Sequence, residues 1–291
     1  MTTLWTIQTL QTWGVPWLQQ RGVEAARLDC DLLLAEALGM ARLDLFLDPQ
    51  RPVVGAELAT FKQFMQRRAR REPVAYILGK RHFWRHEFFV SPDVLIPRPE
   101  TELLLETVLD LFPPPEQKQP LSILEVGVGS GALLCSLLLE YPEAMGTGID
   151  ISPGALRVAE ENARRLACQH RLTLLQGDLL QPLDLQPAAH TFSIVVANLP
   201  YIDPAEWPSL QPEVAHWEPR LALDGGDNGL AVLQRLPAAV FPWLADNGLL
   251  AMEIGASQGD SMAAIMRAAG LREVMLRLDY GRLPRVLTGR R

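Results

Sequence analysis

Along the first eighty positions apolar residues recur at helical spacing: Leu58, Phe61 and Met65 share one face, and residues 25–38 are dense in Ala and Leu. Breaks at Gly14-Val15-Pro16, at Gly39, from Pro49 to Pro52 and at Pro73 predict four or five short helices. The pattern then changes. His82-Phe83-Trp84, Phe88-Phe89-Val90 and Val94-Leu95-Ile96, with Ser91-Pro92-Asp93 between the last two, predict a short β-hairpin joining two domains. A helix over 101–111 should stop at the Pro113-Pro114-Pro115 run. Beyond Leu121, short apolar runs at 122–126, 146–150, 172–176, 192–197 and 248–254 alternate with helical stretches at 131–140, 153–166 and 229–244. This is the βαβ alternation of a doubly wound α/β fold with a mostly parallel sheet. After a helix at 256–269, strands at 271–278 and 285–288 have only Gly281-Arg282-Leu283-Pro284 at the turn, too short for a parallel crossover, so the last pair should be antiparallel. The expected organisation is a helical domain over 1–81, a hairpin linker over 82–97 and a sheet domain over 98–291.

Of the 291 residues, 48% are hydrophobic and 21% charged, which suits one large globular domain and a small one. A formal net charge of −7 and a pI near 5.3 argue against a broad phosphate-neutralising surface. Arg67-Arg68 and Arg70-Arg71 form a local basic cluster, read as a solvated helix face or as a contact for acidic protein or RNA. Cys30, Cys135 and Cys168 are far apart in apolar or helical surroundings and read as reduced core thiols, implying a cytoplasmic protein. His82, His86, His170, His190 and His216 lack ligand spacing, so no metal is expected. The opening residues from Met1 to Leu4 and beyond carry no basic region ahead of a long apolar run, and no stretch reaches about 18 apolar residues. Neither export nor membrane insertion is expected.

Gly127, Gly129 and Gly131 fall at the first strand-to-helix turn, where glycine permits positive φ and lets a ligand lie on the backbone. Alone, this spacing also fits a dinucleotide site or a plain tight turn. Asp150 closes the second strand and is placed to accept hydrogen bonds from ribose hydroxyls, because Ser152-Pro153 already supplies the cap and first residue of the next helix. At the end of the third strand, Asp178 suits an adenine amino group and Leu179 its ring face; a plain turn is the alternative. The fourth strand ends in Asn198-Leu199-Pro200-Tyr201, at the strand edge where open α/β sheets bind ligands. An amide nitrogen is a poor nucleophile because its lone pair is delocalised. Asn198 Oδ1 and the carbonyl of Leu199, each accepting one N–H, would hold such a nitrogen in line and stabilise its developing charge, with the Tyr201 ring packed on it.

The strand order, the glycine turn and Asp150 resemble the class I seven-stranded S-adenosylmethionine methyltransferases, and the glycine spacing disfavours a nicotinamide site. Asn198 to Tyr201 resembles the Asn-Pro-Pro-Tyr motif of methyltransferases that modify amide or amino nitrogens. The stretches 71–79, Phe83-Trp84, 91–102, 218–226 and Glu253-Ile254-Gly255 are similar to the HemK/PrmC family of peptide chain release factor protein-(glutamine-N5) methyltransferases, a resemblance covering almost the whole chain. It implies S-adenosylmethionine as cofactor and release factors as partners, with the acceptor glutamine in their Gly-Gly-Gln loop. It also implies that the helical domain helps hold that partner. The expected cofactor-binding residues are Gly127, Val128, Gly129, Ser130, Gly131, Asp150, Asp178, Leu179 and Asn198; the expected catalytic residues are Asn198, Leu199, Pro200 and Tyr201. Leu199 departs from the family's usual proline, and its side chain is expected to matter only indirectly because the group required is a backbone carbonyl. Arg98 and Glu102 read as a four-residue ion pair or as part of the acceptor pocket, and Arg220 reads as structural. The alternatives are a ribosomal-protein glutamine methyltransferase, a nucleic-acid amino methyltransferase, disfavoured by the acidic pI, and a non-catalytic cofactor-binding scaffold.

Overall fold

The computed structural model describes residues 5–114, 119–184 and 191–291; the opening residues Met1 to Leu4 and His190 lie outside them. The chain divides into two compact units, one of residues up to Lys80 with Gln211–Trp217, the other of Arg81–Leu210 with Glu218–Arg291.

The first unit contains α1 (Ile7–Gln19), α2 (Ala26–Leu38), α3 (Asp44–Leu47), α4 (Gly55–Ala69) and α5 (Val74–Leu78). A capping box starts α1: the Thr6 hydroxyl accepts from the Thr9 amide while Thr9 Oγ1 accepts from the Thr6 amide. The break expected at Gly14-Val15-Pro16 does not occur, since α1 runs through it. A Cβ at Gly14 would stand 2.8 Å from Cys30 Sγ and 3.0 Å from Met65 Cε, so this glycine lets α1 close on α2 and α4 rather than ending a helix. Gly39, left-handed at the end of α2, and Pro73, ahead of α5, do mark helix boundaries.

The basic cluster is mostly not a solvated face. Arg67 forks onto Glu72 and reaches the carbonyls of Tyr76 and Ile77. Buried Arg68 bridges Asp29 at 2.7 Å and Glu213 at 2.6 Å, and Arg71 holds the same Glu213. Glu213 lies in α10 (Pro212–Trp217), so this ion network ties that late segment into the helical unit.

In the second unit, β1 (Lys80–Phe83, beginning on the last residue of the first unit) pairs with β2 (His86–Phe89), while Val94-Leu95-Ile96 lies outside both strands. Then follow α6 (Pro99–Leu111), β3 (Ser122–Val126), α7 (Ala132–Glu140), β4 (Met145–Asp150), α8 (Pro153–Arg165), β5 (Leu172–Gln176), α9 (Gln181–Asp184), β6 (Phe192–Ala197), α11 (Leu236–Val240), β7 (Leu244–Glu253), α12 (Gly259–Ala268), β8 (Arg272–Leu278) and β9 (Pro284–Arg290). The sheet has seven strands in the order β5-β4-β3-β6-β7-β9-β8, parallel except for β9, which runs antiparallel to both neighbours. Alternate side chains of the same strands enter the two apolar layers: Ile123, Ile194 and Val196 on one face, Leu124, Val195 and Ala197 on the other.

The helix expected over 229–244 is instead a broken sequence, a 3₁₀ turn at Leu233–Arg235, the short α11 and another 3₁₀ turn at Phe241–Trp243. Pro237 and Pro242 each lack the N–H that a continuous ladder needs. The described residues contain no helix long and apolar enough to cross a membrane.

Candidate active site

The chain runs outward from β3 to β5, then returns to place β6 on the other side of β3, so the carboxyl ends of β3 and β6 border the switch point where open sheets bind ligands. A cavity of about 370 Å³ opens there, within the range of small-molecule sites. Gly127, Val128, Gly129, Ser130, Asp150, Asp178, Leu179, Asn198, Leu199 and Pro200 all line it.

The glycine turn has φ of 77° at Gly127, 51° at Gly129 and 75° at Gly131. A Cβ at Gly129 would meet nothing within 4 Å, which leaves open space over its backbone for a ligand. Gly131 is not in the lining; a Cβ there would press on Ala159 at 3.2 Å, so it serves the packing of α7 against α8. Buried Asn162 secures the turn from beneath. Its Nδ2 donates to the carbonyls of Ser130 and Phe89, and its Oδ1 accepts from the Phe89 amide at 2.7 Å.

Asp150 is less free than its position suggested. One oxygen accepts from the Gly129 amide and the other from the Ser152 amide, both at 2.9 Å, while the Ser152 hydroxyl caps α8 through Ala155. Each carboxylate oxygen retains a lone pair for a ligand hydroxyl. Burial raises the Asp150 carboxyl above its ordinary range, opposed by those amides. Asp178 carries an ion pair with Arg235 at 2.6 Å, exposed enough on both sides to be weak and open to competition. Leu179 holds a left-handed φ of 49°, unusual for leucine, which fixes its side chain at the cavity.

The side chain of Leu199 is itself packed. It is 5% exposed within the apolar layer, and a Cβ on Gly127 would stand 2.8 Å from Leu199 Cδ2. Tyr201 is outside the cavity lining, contrary to the ring-packing role expected of it. It is half-buried against the apolar layer, and its hydroxyl donates to Glu253 Oε1 at 3.0 Å. Thr101 Oγ1 donates to the other oxygen of Glu253 at 2.7 Å and accepts from Asn198 Nδ2 at 2.9 Å.

Arg98 and Glu102 are not paired with each other. Arg98 lines the cavity and pairs with buried Glu218, whose second oxygen accepts from the Ile96 amide, while Glu102 accepts from the Trp84 amide. Arg220 pairs with Asp224. Glu125 also lines the cavity and accepts from the Leu134 amide; burial pushes its carboxyl well up. Thr101, Glu218 and Glu253 stand in recognisable stretches of the chain, but their partners are remote in sequence, and the partner of Glu125 is a backbone amide that no side-chain pattern signals.

Residues 9–79 match the PrmC N-terminal domain family and residues 123–217 a methyltransferase domain family. A solved structure, the catalytic domain of hMettl16 in complex with MAT2A 3′UTR hairpin 6, superposes with a TM-score of 0.55 over 69% of this chain and 74% of that one. At 11% identity it shows the shared fold. The release factor glutamine methyltransferase of Caulobacter vibrioides is 41% identical over 94% of this chain and 92% of its own length. That of Geobacter sulfurreducens is 37% identical over 99% and 97%. With identity of this order along nearly the whole of both chains, the protein belongs to the release factor glutamine methyltransferase family.

Proposed function

We propose that this chain methylates the side-chain amide nitrogen of a glutamine, in the Gly-Gly-Gln loop of a peptide chain release factor. The observation that carries the reading is the cavity shared by a glycine turn built to lie against a ligand and by Asn198 and Leu199 at the neighbouring strand end. Its cofactor is S-adenosylmethionine, and the residues suit it: an open backbone at Gly129 for a flat approach, and lone pairs on Asp150 for ribose hydroxyls. Leu179 offers an apolar wall for the base. When bound, that cofactor supplies a methyl group made electrophilic by its sulfonium.

The chain's part is to make a poor nucleophile reactive. Asn198 Oδ1 and the Leu199 carbonyl each accept one N–H of the glutamine amide, fixing the nitrogen on the methyl's line of approach and stabilising positive charge as it forms. Buried Leu199 pressed on the glycine turn keeps that carbonyl in place. The amide sheds a proton readily once methylated, so no strong base is required. We assign partner recognition to residues 1–81, a linking role to 82–97 and catalysis to 98–291. The net charge of −7 supports a protein acceptor over nucleic acid, and three free cysteines support a cytoplasmic location.

Incubation with labelled S-adenosylmethionine and release factor, ribosomal protein or nucleic acid, followed by mass spectrometry, tests the reading. A single methyl on the release-factor glutamine is expected; label confined to another acceptor sinks it. In the same assay Asn198→Ala should lower turnover by about 10²–10³-fold, as for loss of one preorganised contact.

A further inference from the structure

Accepting the glutamine reading, we infer that Thr101 and Glu253 are positioning residues that fix the polarity of the Asn198 amide, so that the site presents an oxygen to an N–H donor.

Hydrogens along one chain of bonds, from Glu253 through Thr101 to Asn198, set this polarity. Glu253, the last residue of β7, is 1% exposed. Its two oxygens are taken by hydroxyls, Thr101 Oγ1 at 2.7 Å and Tyr201 at 3.0 Å, rather than by a cation. Nearby Arg285 is engaged with Asp279 and with the Ile254 carbonyl. Burial raises the Glu253 carboxyl above its ordinary range, opposed by the hydrogen bonds from Thr101 and Tyr201; in its ionised form it only accepts, so Thr101 spends its one hydroxyl hydrogen on Glu253. The Thr101 oxygen can then only accept from Asn198. A side-chain amide has two ends, one donating and one accepting, and its orientation follows its partners. Here the Nδ2 end is committed to Thr101 at 2.9 Å. Oδ1 is the end left for the cavity that Asn198 lines.

Burying a carboxylate without a cation is unfavourable, and an apolar residue of similar volume would cost less. Of the two groups that satisfy this one, Thr101 of α6 lines the cavity, and Tyr201 follows Asn198 by three residues outside the lining. With the polarity fixed, the glutamine amide meets two oxygen acceptors. A glutamate carboxylate in the same place would meet the same two oxygens with no hydrogen to offer them. The arrangement therefore discriminates an amide from an acid of the same shape.

In Glu253→Gln the shape is kept, but the new amide can donate to Thr101, which then donates to Asn198 and turns its Nδ2 toward the cavity. Turnover on release factor should fall by about 10²-fold, as for one lost electrostatic contact, with calorimetric S-adenosylmethionine affinity unchanged. A release factor bearing Glu in place of the acceptor glutamine should inhibit Glu253→Gln more strongly than wild type. Thr101→Val should lose turnover comparably, and Thr101→Ser should restore it. A wild-type enzyme silent on release factor overturns the functional reading and this inference together. An active wild type with an equally active Thr101→Val overturns the inference alone, as does a Thr101→Ser no better than the valine variant. Unaltered inhibition of Glu253→Gln by the Glu-bearing factor also overturns it, because a merely structural role would leave that preference untouched.

Discussion

Gly127→Ala tests how tightly the cofactor turn and the acceptor segment are built against each other. Gly127 has a φ of 77°, and a Cβ there would lie 2.8 Å from Leu199 Cδ2 and 3.6 Å from the Asn198 carbonyl oxygen. Holding alanine in the left-handed region costs about 1–2 kcal/mol. Displacing the packed Leu199 side chain adds about 1–3 kcal/mol, as for other overpacked cores. The expected loss of stability is thus about 2–5 kcal/mol, readable by denaturant unfolding of the protein without cofactor. A double-mutant cycle separates the two contributions. Leu199→Ala alone should cost about 2–5 kcal/mol for the cavity it leaves. In the double variant the clash disappears and only the backbone strain persists, so the pair should be less destabilised than the sum by about 1–3 kcal/mol. Calorimetric titration with S-adenosylmethionine should show weaker binding in Gly127→Ala and partial recovery in the double variant. Strict additivity would refute the reasoning, because it would mean that Leu199 does not press on the turn.

Asp150→Ala should weaken S-adenosylmethionine binding by about 1.5–3 kcal/mol, the range for hydrogen bonds to a charged group, and unchanged affinity by calorimetry would remove Asp150 from the site. Glu125 titrates well above the ordinary 4.5 when folded because it is buried. Its stabilising contribution is therefore complete below that value and is lost as pH rises through the folded one. Glu125→Gln removes that loss, so the Tm of the variant minus that of wild type, both without cofactor, should grow from pH 4.5 to neutral pH; a constant difference would contradict it.

What could be read directly from the chain was whatever neighbours in sequence decide. The runs at 122–126, 172–176 and 192–197 coincide with β3, β5 and β6 because buried parallel strands are short, apolar and bounded by turns. Local signals failed where a residue answers to a distant neighbour. Gly14 looks like a helix break from its own segment but answers to Cys30 and Met65. Arg68 sits in a basic run but is neutralised by Asp29, 39 positions earlier, and Glu213, 145 later. The cavity residues Gly127 to Ser130, Asp150 and Asn198 to Pro200 were legible because strand ends and glycine turns mark the sheet edge. Thr101 and Glu253 were not, since the bond between them spans 152 positions and no periodicity announces it.

The ion network around Glu213 also sets an order of events during synthesis. Arg68 is almost fully buried, its early carboxylate partner is Asp29, and Glu213 follows it by 145 positions. At roughly 5–20 residues per second, ribosomes deliver that carboxylate about 7–30 s after the arginine. Until then the network holds two arginines, Arg68 and Arg71, and one carboxylate, Asp29, in place of two. Completion of the network therefore depends on the second half of the chain, and a stall anywhere between α5 and α10 leaves it without its second carboxylate.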